Sequence, residues 1–308
     1  MRRFILVLLA FVFLTSFVAG CDSDLGEQRV VDPGTLEPYE GLGTWVDVYD
    51  YVPGFQDDDE PPPVTPDSID DMAALGVDTL YLQAAQDDER ISGATVDEEL
   101  LGEFLVRAHE ADVQVVAWYL PRFVDVAADL ARIEALHDFR VDGQRFDGLA
   151  LDIEWTLGVP DVPARNDALV SLSEQVRELV GERYAVGAIV LEPVLLEVVN
   201  PAYWPTFPWS ELAPLYDVWM PMSYWTNRSS DSGFREGFAY TDENVRRLRA
   251  NLDDDDAFVH TIGGIGNDAT AADYEGFVRA SEDHDALGWS VYDYNTVASS
   301  AWPRLRDS

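Results

Sequence analysis

The sequence predicts an α/β fold, a single-domain (β/α)8 TIM barrel, from three observations. Strand and helix signals alternate eight times between Leu42 and Ser308. A length of about 265 residues is usual for such a barrel, and eight units favour closure over an open, doubly wound sheet. The Gly-rich phosphate turn of dinucleotide-binding sheets is absent after the first strand. We therefore take residues 42–308 as the barrel domain.

The fourth predicted strand, FDGLALDIEW at 146–155, ends in two carboxylates. Because side chains alternate along a strand, Ala150, Asp152 and Glu154 share one face. Burying two acids two residues apart is costly unless they have partners or a chemical task. Acids at the C-terminal end of a buried parallel strand are typical of a TIM-barrel active site. The alternative is a surface strand with solvated acids.

The other strands are short runs rich in β-branched and aromatic residues, which fit a pleated, buried surface. In chain order the predicted strands are 43–51, 77–85, 113–121, 146–155, 184–192, 217–225, 257–265 and 286–296. The Gly-rich run at 263–266 lacks dinucleotide-binding spacing and is interpreted as a turn at the barrel rim.

The helices between the strands are predicted from capping residues and from apolar stripes. The first has Thr65 as its cap and Pro66 at its first helical position, and Gly76 ends it. The sixth begins at a Thr241 cap. The helices are indicated by Ile69, Met72 and Leu75; Leu101, Phe104, Leu105 and Ala108; the segment 124–136; Leu169, Leu172, Val176 and Leu179; a short helix at 210–215; Val245, Leu248 and Leu252; Tyr274, Phe277 and Val278; and a short helix through Trp302.

Residues 1–20 have the pattern of a secretory signal. Arg2 and Arg3 precede an apolar run at 4–18, which is short for a transmembrane anchor, the alternative interpretation. The small residues before Cys21 resemble a bacterial lipobox. This resemblance implies cleavage before Cys21, lipid on that residue, and a protein held on the extracytoplasmic face of the cell membrane. The polar segment 21–41 is then a flexible tether.

Composition limits the partners of the chain. The formal net charge is −38, and without Arg2 and Arg3 it is 18 − 58 = −40. Such a surface repels nucleic acid and anionic membrane. We expect no nucleic-acid partner, and membrane contact only through the N-terminal lipid.

No metal site or cofactor is expected. Cys21 is the only cysteine, which excludes an internal disulfide and a cysteine zinc site. The four histidines are His109, His137, His260 and His284, and only His260 lies on a predicted strand. The acidic run at 253–256 lacks calcium-loop spacing. A G-x-S-x-G nucleophile elbow is also absent from the sequence.

The C-terminal ends of the predicted strands bring polar and aromatic residues to one mouth. The candidate substrate-binding residues are Asp47, Gln83, Trp118, Tyr119, Glu192, Met222, Trp289 and Asp293 at strand ends, and Trp204 and Trp209 in the loop after strand five, which we expect to be exposed. Tyr49, Asp50, Tyr292 and Tyr294 lie at the same strand ends. Acids beside many aromatic rings suit a carbohydrate polymer or oligosaccharide, since pyranose faces stack on Trp and Tyr.

Two segments resemble those of family-18 glycoside hydrolases, the chitinase-like enzymes. Asp-Gly at 147–148 followed by Asp-Ile-Glu at 152–154 is similar to the strand-four signature of that family. Met-Pro-Met-Ser-Tyr at 220–224 is similar to its strand-six segment. The resemblance implies a TIM barrel that cleaves glycosidic bonds.

By this resemblance Glu154 is the general acid, Asp152 orients the N-acetyl group of the substrate, and Tyr224 supports the same group. The sequence departs from the family pattern at Ala150 and Trp225, where the family has Asp. A non-catalytic, glycan-binding barrel is therefore the alternative function.

The sequence also leaves open which residue would be the second catalytic carboxylate beside Glu154. Glu192 and Asp293 are its candidates, and their distance from Glu154 would decide between retaining and inverting geometry.

Overall fold

The structure, a computed structural model, describes residues 30–56, 60–264 and 269–306. Its parallel strands pair in chain order and close into a barrel, which confirms the predicted (β/α)8 fold. The strands are β1 (Gly41–Val46), β2 (Thr79–Gln83), β3 (Gln114–Tyr119), β4 (Gly148–Ile153), β5 (Val186–Val190), β6 (Val218–Ser223), β7 (Phe258–Gly263) and β8 (Gly288–Val291).

Helices cover the outside of the barrel. They are α1 (Val48–Tyr51), α2 (Ser68–Ala74), α3 (Glu98–Glu110), α4 (Val126–Asp138), α5 (Val162–Val180), α6 (Trp209–Leu212), α7 (Gly237–Leu252), α8 (Ala271–Asp283) and α9 (Trp302–Arg306). Asp97, Asp125 and Asp161 cap α3, α4 and α5 by accepting backbone N–H groups of the first turn. In the part of the chain that the structure describes, no helix is long and apolar enough to cross a membrane.

Several element boundaries differ from the prediction, and two of these differences have a clear structural cause. The first strand ends at Val46 rather than in the run to residue 51, because Asp47 caps α1 and its carboxylate accepts the Tyr49 N–H at 2.8 Å. Helix α7 begins four residues before the predicted Thr241 cap, and Thr241 is buried inside it. Gly237 permits this early start because it has no side chain: the first turn of α7 packs closely on α8, and a Cβ at residue 237 would lie 2.1 Å from a backbone oxygen of α8.

The floor of the barrel is closed by the segment before β1. Residues 33–39 form two short 3-10 turns, so the predicted tether to residue 41 is wrong for this part. The fully buried Tyr39 hydroxyl donates to Leu149 O at 2.7 Å and accepts from Leu149 N at 3.2 Å. Its ring lies against the start of β4 and β5, where Gly148 and Gly187 leave room for it. The domain therefore begins before β1.

Aromatic rings fill the barrel above this floor. Trp45 stacks on Tyr81 with ring centroids 4.4 Å apart, and Trp118 meets Trp45 edge-on at 5.8 Å. The Trp45 indole N–H donates to Ser290 Oγ at 2.8 Å. His260 is buried beside them with its pKa lowered to about 4 by burial, so it stays neutral. This rigid layer supports the mouth above it.

Candidate active site

A cavity of about 480 Å³ opens at the C-terminal ends of the strands. Its size falls within the range of small-ligand sites. Its walls consist of acids (Asp47, Asp152, Glu154, Glu192), aromatic residues (Tyr49, Trp118, Trp155, Tyr224, Tyr292), amides (Gln83, Gln86, Asn227), arginines (Arg122, Arg228) and apolar residues (Leu120, Leu191, Leu195, Met222). Eight of the residues selected from the sequence thus meet there: Asp47, Gln83, Trp118, Asp152, Glu154, Glu192, Met222 and Tyr224.

Asp152 and Glu154 lie at the end of β4 on the side that faces the cavity. Burial raises the pKa of Asp152 well above its ordinary value, and the charge of Glu154 raises it further. Burial also raises the pKa of Glu154. Among the described residues, Asp152 Oδ1 is buried without a hydrogen-bond partner. The pair therefore retains a proton at a higher pH than ordinary carboxyls do, and this proton is available to a bound ligand.

Glu192 is a third carboxyl group of the cavity, just after β5. It is 3% exposed, and burial raises its pKa to about 7, although the charge of Arg228 acts in the opposite direction. The charge of Glu154 contributes to the raised pKa. Near neutral pH Glu192 is thus divided between its acid and base forms, as a general acid or base requires.

Tyr224 follows β6 and faces these carboxyl groups. Burial raises the pKa of Tyr224 well above its ordinary value, and the charges of Glu154 and Asp152 raise it further. The hydroxyl therefore stays protonated and can donate a hydrogen bond into the cavity.

Gln83 and Trp118 form the wall on the other side of the mouth. Gln83 accepts the Val48 N–H at 3.1 Å and donates to Gln86 Oε1 at 2.9 Å. The Trp118 indole N–H donates to Tyr81 O at 3.3 Å. These bonds fix the orientation of both side chains, so this wall is rigid before any ligand binds.

Two residues selected from the sequence lie on the outer face of the barrel. Tyr119 follows Trp118 directly, so it points away from the cavity, and its hydroxyl donates to the buried Asp129 at 2.5 Å. Trp289 packs against the last helix, and its indole N–H donates to Leu305 O at 2.9 Å. The strand alternation excludes both from the cavity lining.

Three further predicted residues also lie outside the cavity. Trp204 is 1% exposed, contrary to the expected exposed loop, because its indole N–H donates to Asn166 and its ring packs against neighbouring aromatic rings. Trp209 is half-buried in α6, against Trp219 on the outer face of β6. Asp293 accepts the Thr296 N–H at 2.8 Å and caps the turn after β8.

Several cavity residues were not selected from the sequence, among them Trp155, Arg122 and Arg228. Trp155 follows Glu154 directly, and the guanidinium carbon of Arg122 lies 3.6 Å from the centroid of its ring. Arg228 lies in the loop after β6. The signal available in the sequence was their position: each lies at or just after the C-terminal end of a predicted strand, and two are cations in a strongly acidic chain.

The histidines and acids that the structure describes do not gather into a metal site. Within residues 30–56, 60–264 and 269–306, no group of three or more His, Cys, Asp or Glu side chains could hold a metal ion. His109 pairs with Asp147 and His284 with Asp242, each at 2.9 Å.

No protein-family model matches the chain, and no curated protein matches it. Several solved structures are similar to the chain. A family GH18 chitinase from Cycas revoluta, in a complex with allosamidin, is 11% identical, with a TM-score of 0.58 over 86% of this chain and 98% of that one. The C-terminal domain of a putative chitinase from Desulfitobacterium hafniense is 11% identical, with a TM-score of 0.61 over 87% of this chain and 98% of that one.

An endo-1,4-beta-mannanase from Rhizomucor miehei is similar as well, at 10% identity, with a TM-score of 0.61 over 87% of this chain and 93% of that one. At such low identity the similarity shows the fold. The chain has the TIM-barrel fold that these chitinases and this mannanase share.

Proposed function

We propose that the protein is a glycoside hydrolase that cleaves a glycan at the barrel mouth by general acid catalysis. The observation that carries this proposal is the carboxyl pair Asp152 and Glu154 at the end of β4. Both side chains face an aromatic-lined cavity, and burial raises the pKa of each. Glycosidic cleavage needs a carboxyl that is still protonated at working pH.

In this proposal Glu154 donates its proton to the glycosidic oxygen while the bond from that oxygen to the anomeric carbon breaks. The oxygen leaves as a hydroxyl group, and water finally adds its own hydroxyl to the anomeric carbon and gives its other proton back to the Glu154 carboxylate. The resemblance to family 18 assigns Asp152 and Tyr224 to orienting the N-acetyl group that attacks that carbon first. The protonated hydroxyl of Tyr224 supports this assignment, since it can donate to an acyl oxygen.

Glu192 is the alternative candidate for the second catalytic group that acts with Glu154. If the substrate lacks an N-acetyl group, the ionised form of Glu192 can act as the base that activates water or as the nucleophile. Its place in the same cavity and its pKa of about 7 support this role. Asp293, the other candidate, does not line the cavity.

The aromatic lining supports a carbohydrate ligand. Trp118, Trp155 and Tyr49 present rings to the cavity, and such rings stack on pyranose faces. Among the similar solved structures, the Cycas revoluta chitinase is described in complexes with allosamidin and with (GlcNAc)4. We therefore propose a carbohydrate ligand for this protein, without specifying the sugar.

A glycan-binding protein without catalysis is the second candidate, and two residues favour it. Ala150 provides no carboxylate beneath Asp152, where family 18 has one. Trp225 is fully buried against Phe277, with ring centroids 5.4 Å apart, so it cannot replace the Asp of the family at the mouth.

The proposed location is the extracytoplasmic face of the cell membrane, with lipid on Cys21. Cys21 and the signal at 1–20 lie outside the described residues, so this proposal is supported by the sequence pattern alone.

The test compares the full-length protein with its Glu154→Gln variant on a panel of bacterial and environmental polysaccharides, scoring binding and the release of reducing ends. Glu154→Gln keeps the shape of the side chain but cannot donate the proton. We expect it to bind as the wild type does and to lose at least about a hundredfold in turnover. The exposed Glu182→Gln variant is the matched control.

Wild-type turnover by Glu154→Gln would exclude Glu154 as the acid. Binding by the wild-type protein without any release would favour the non-catalytic candidate.

A further inference from the structure

Two arginines line the cavity of a chain that has 58 acidic residues and only 20 basic ones. Arg122 follows β3 and Arg228 follows β6. Among the described residues, neither guanidinium group has an ion pair or a side-chain hydrogen bond, and the buried Nε of each lacks a partner. Burying part of a cation without a hydrogen-bond partner costs free energy, so the two groups are suited to an external ligand.

Two other arginines that lie over aromatic rings, Arg90 and Arg132, have carboxylate partners. Arg90 lies over Phe55 but donates to Asp88 at 2.8 Å. Arg132 lies over an aromatic ring and donates to Asp87 at 2.7 Å. Stacking on a ring therefore does not by itself leave an arginine of this chain without a polar partner.

The geometry of Arg122 leaves its donors free for a ligand. Its guanidinium carbon lies 3.6 Å from the centroid of the Trp155 ring, so the ring covers one flat face of the group. The N–H donors lie in the plane of the guanidinium and remain at its edge. Arg228 lies at a longer 5.5 Å from the Tyr240 ring centroid. A planar fork of this kind matches two oxygens of a carboxylate or a sulfate.

We infer that the glycan is anionic, with carboxylate or sulfate groups on its sugar units that Arg122 and Arg228 bind. This inference rests on the proposed function, which supplies the glycan. In the closed order of strands, β3 directly precedes β4, and β6 comes two strands after it with β5 between, so Arg122 and Arg228 reach the cavity from opposite sides of the strand that carries Asp152 and Glu154. They are placed to bind two different sugar units, one on each side of the bond that is cleaved.

The strongly negative surface does not prevent this binding. At about 0.15 M salt the Debye length is roughly 8 Å, so distant surface charges are largely screened from the cavity. Within the cavity, burial keeps Asp152 and Glu192 protonated to a higher pH than ordinary acids, which reduces the local negative charge.

The experiment measures calorimetric affinity at about 0.15 M salt, with the full-length Glu154→Gln variant to prevent turnover. The probes are polygalacturonate, alginate and hyaluronan, each beside its carboxyl-reduced neutral counterpart, and chondroitin sulfate beside its desulfated form. We expect at least one acidic polymer to bind about tenfold or more tightly than its neutral counterpart. The carboxyl and sulfate arms show which anionic group is recognised.

Arg122→Gln and Arg228→Gln, each added to Glu154→Gln, should weaken that binding about tenfold and leave binding of the neutral counterpart unchanged. Arg279→Gln is the matched control, because Arg279 is exposed on α8 outside the cavity. Circular dichroism and thermal melting confirm that each variant is folded.

Equal binding of the acidic and neutral forms would overturn this inference and leave the glycoside hydrolase proposal standing. Failure of every glycan to bind would count against both.

Discussion

Tyr292 donates a hydrogen bond of 2.6 Å to Asp47 Oδ2 and thereby joins the end of β8 to the end of β1. These two strands pair directly and close the barrel. The other oxygen of Asp47 accepts the Tyr49 N–H at 2.8 Å and begins α1. One carboxylate at the rim thus fixes both the last pair of strands and the first turn that follows β1.

Removing the Tyr292 hydroxyl should destabilise the closed mouth. We expect Tyr292→Phe to lower the free energy of unfolding by about 1–2 kcal/mol, because Asp47 loses a hydrogen bond in a partly buried place. Urea denaturation measures the change. The control is Tyr294→Phe, since the Tyr294 hydroxyl makes no hydrogen bond with the described residues. Equal losses for the two variants would contradict the role of the Tyr292 bond.

The carboxyl pair predicts a change in pH dependence for Asp152→Asn. In the wild type the negative charge of one member opposes loss of the proton from the other, so the last proton of the pair is held to higher pH. Asn carries no charge, and Glu154 then ionises at lower pH. The basic limb of the pH–rate profile should move to lower pH, and turnover should fall. A basic limb that stays in place would show that the two carboxyls do not interact.

Glu192 predicts that stability falls as pH rises. Its pKa in the folded protein is raised from 4.5 to about 7, so the folded state binds this proton more strongly than the unfolded state. Its contribution to stability is fully present below about pH 4.5 and is lost as pH rises through about 7, by roughly 3 kcal/mol. Denaturant unfolding at pH 5 and pH 8 measures it.

Glu192→Gln, which cannot ionise, should lose less stability than the wild type between these two pH values, whereas the exposed Glu182→Gln should not differ from it. An identical pH dependence in Glu192→Gln and the wild type would contradict the raised pKa.

The hydrogen bonds of Tyr39 at the floor of the barrel should stabilise the fold. Tyr39→Phe leaves the N–H and C=O of Leu149 without the hydroxyl that bonds both. We expect a loss of about 1–3 kcal/mol in the free energy of unfolding, measured by urea denaturation. Turnover per folded molecule should stay unchanged, since Tyr39 is at the opposite end of the barrel. Tyr274→Phe serves as the control, and a similar loss there would argue against a specific effect.

Cys21 predicts the membrane location. Cys21→Ala should release the protein from the membrane fraction, because no lipid can be attached. Cell fractionation with detection of the protein measures this. If the variant stays in the membrane fraction, the lipobox interpretation fails and an uncleaved anchor takes its place.

The fold and the acid pair were predictable because they depend on periodic patterns. The alternation of apolar runs predicted every strand, and the parity of residues 150, 152 and 154 placed Asp152 and Glu154 on the cavity face. Both are local properties that survive folding unchanged.

What the sequence did not predict depends on contacts between distant segments. Trp204 in a Pro-rich loop was expected to be exposed, but Asn166 on α5 accepts its indole N–H and buries it. Tyr39 was placed in a tether, and only β4 and β5 together make its site. Arg122 was not selected because its position in the cavity depends on its contact with the Trp155 ring, and Trp155 lies at the end of a different strand.

The closed floor also fixes which way the molecule faces. Asp32 N donates to Arg183 O at 2.8 Å, so the chain enters the domain at the N-terminal ends of the strands, opposite the mouth. Residues 22–29 separate Cys21 from the described part, and the nine Cα–Cα steps from Cys21 to Val30 span at most about 30 Å. With lipid on Cys21, the barrel would stand close above the bilayer with Glu154 at its far end, open to polymers that arrive from outside the cell rather than to the lipid headgroups below.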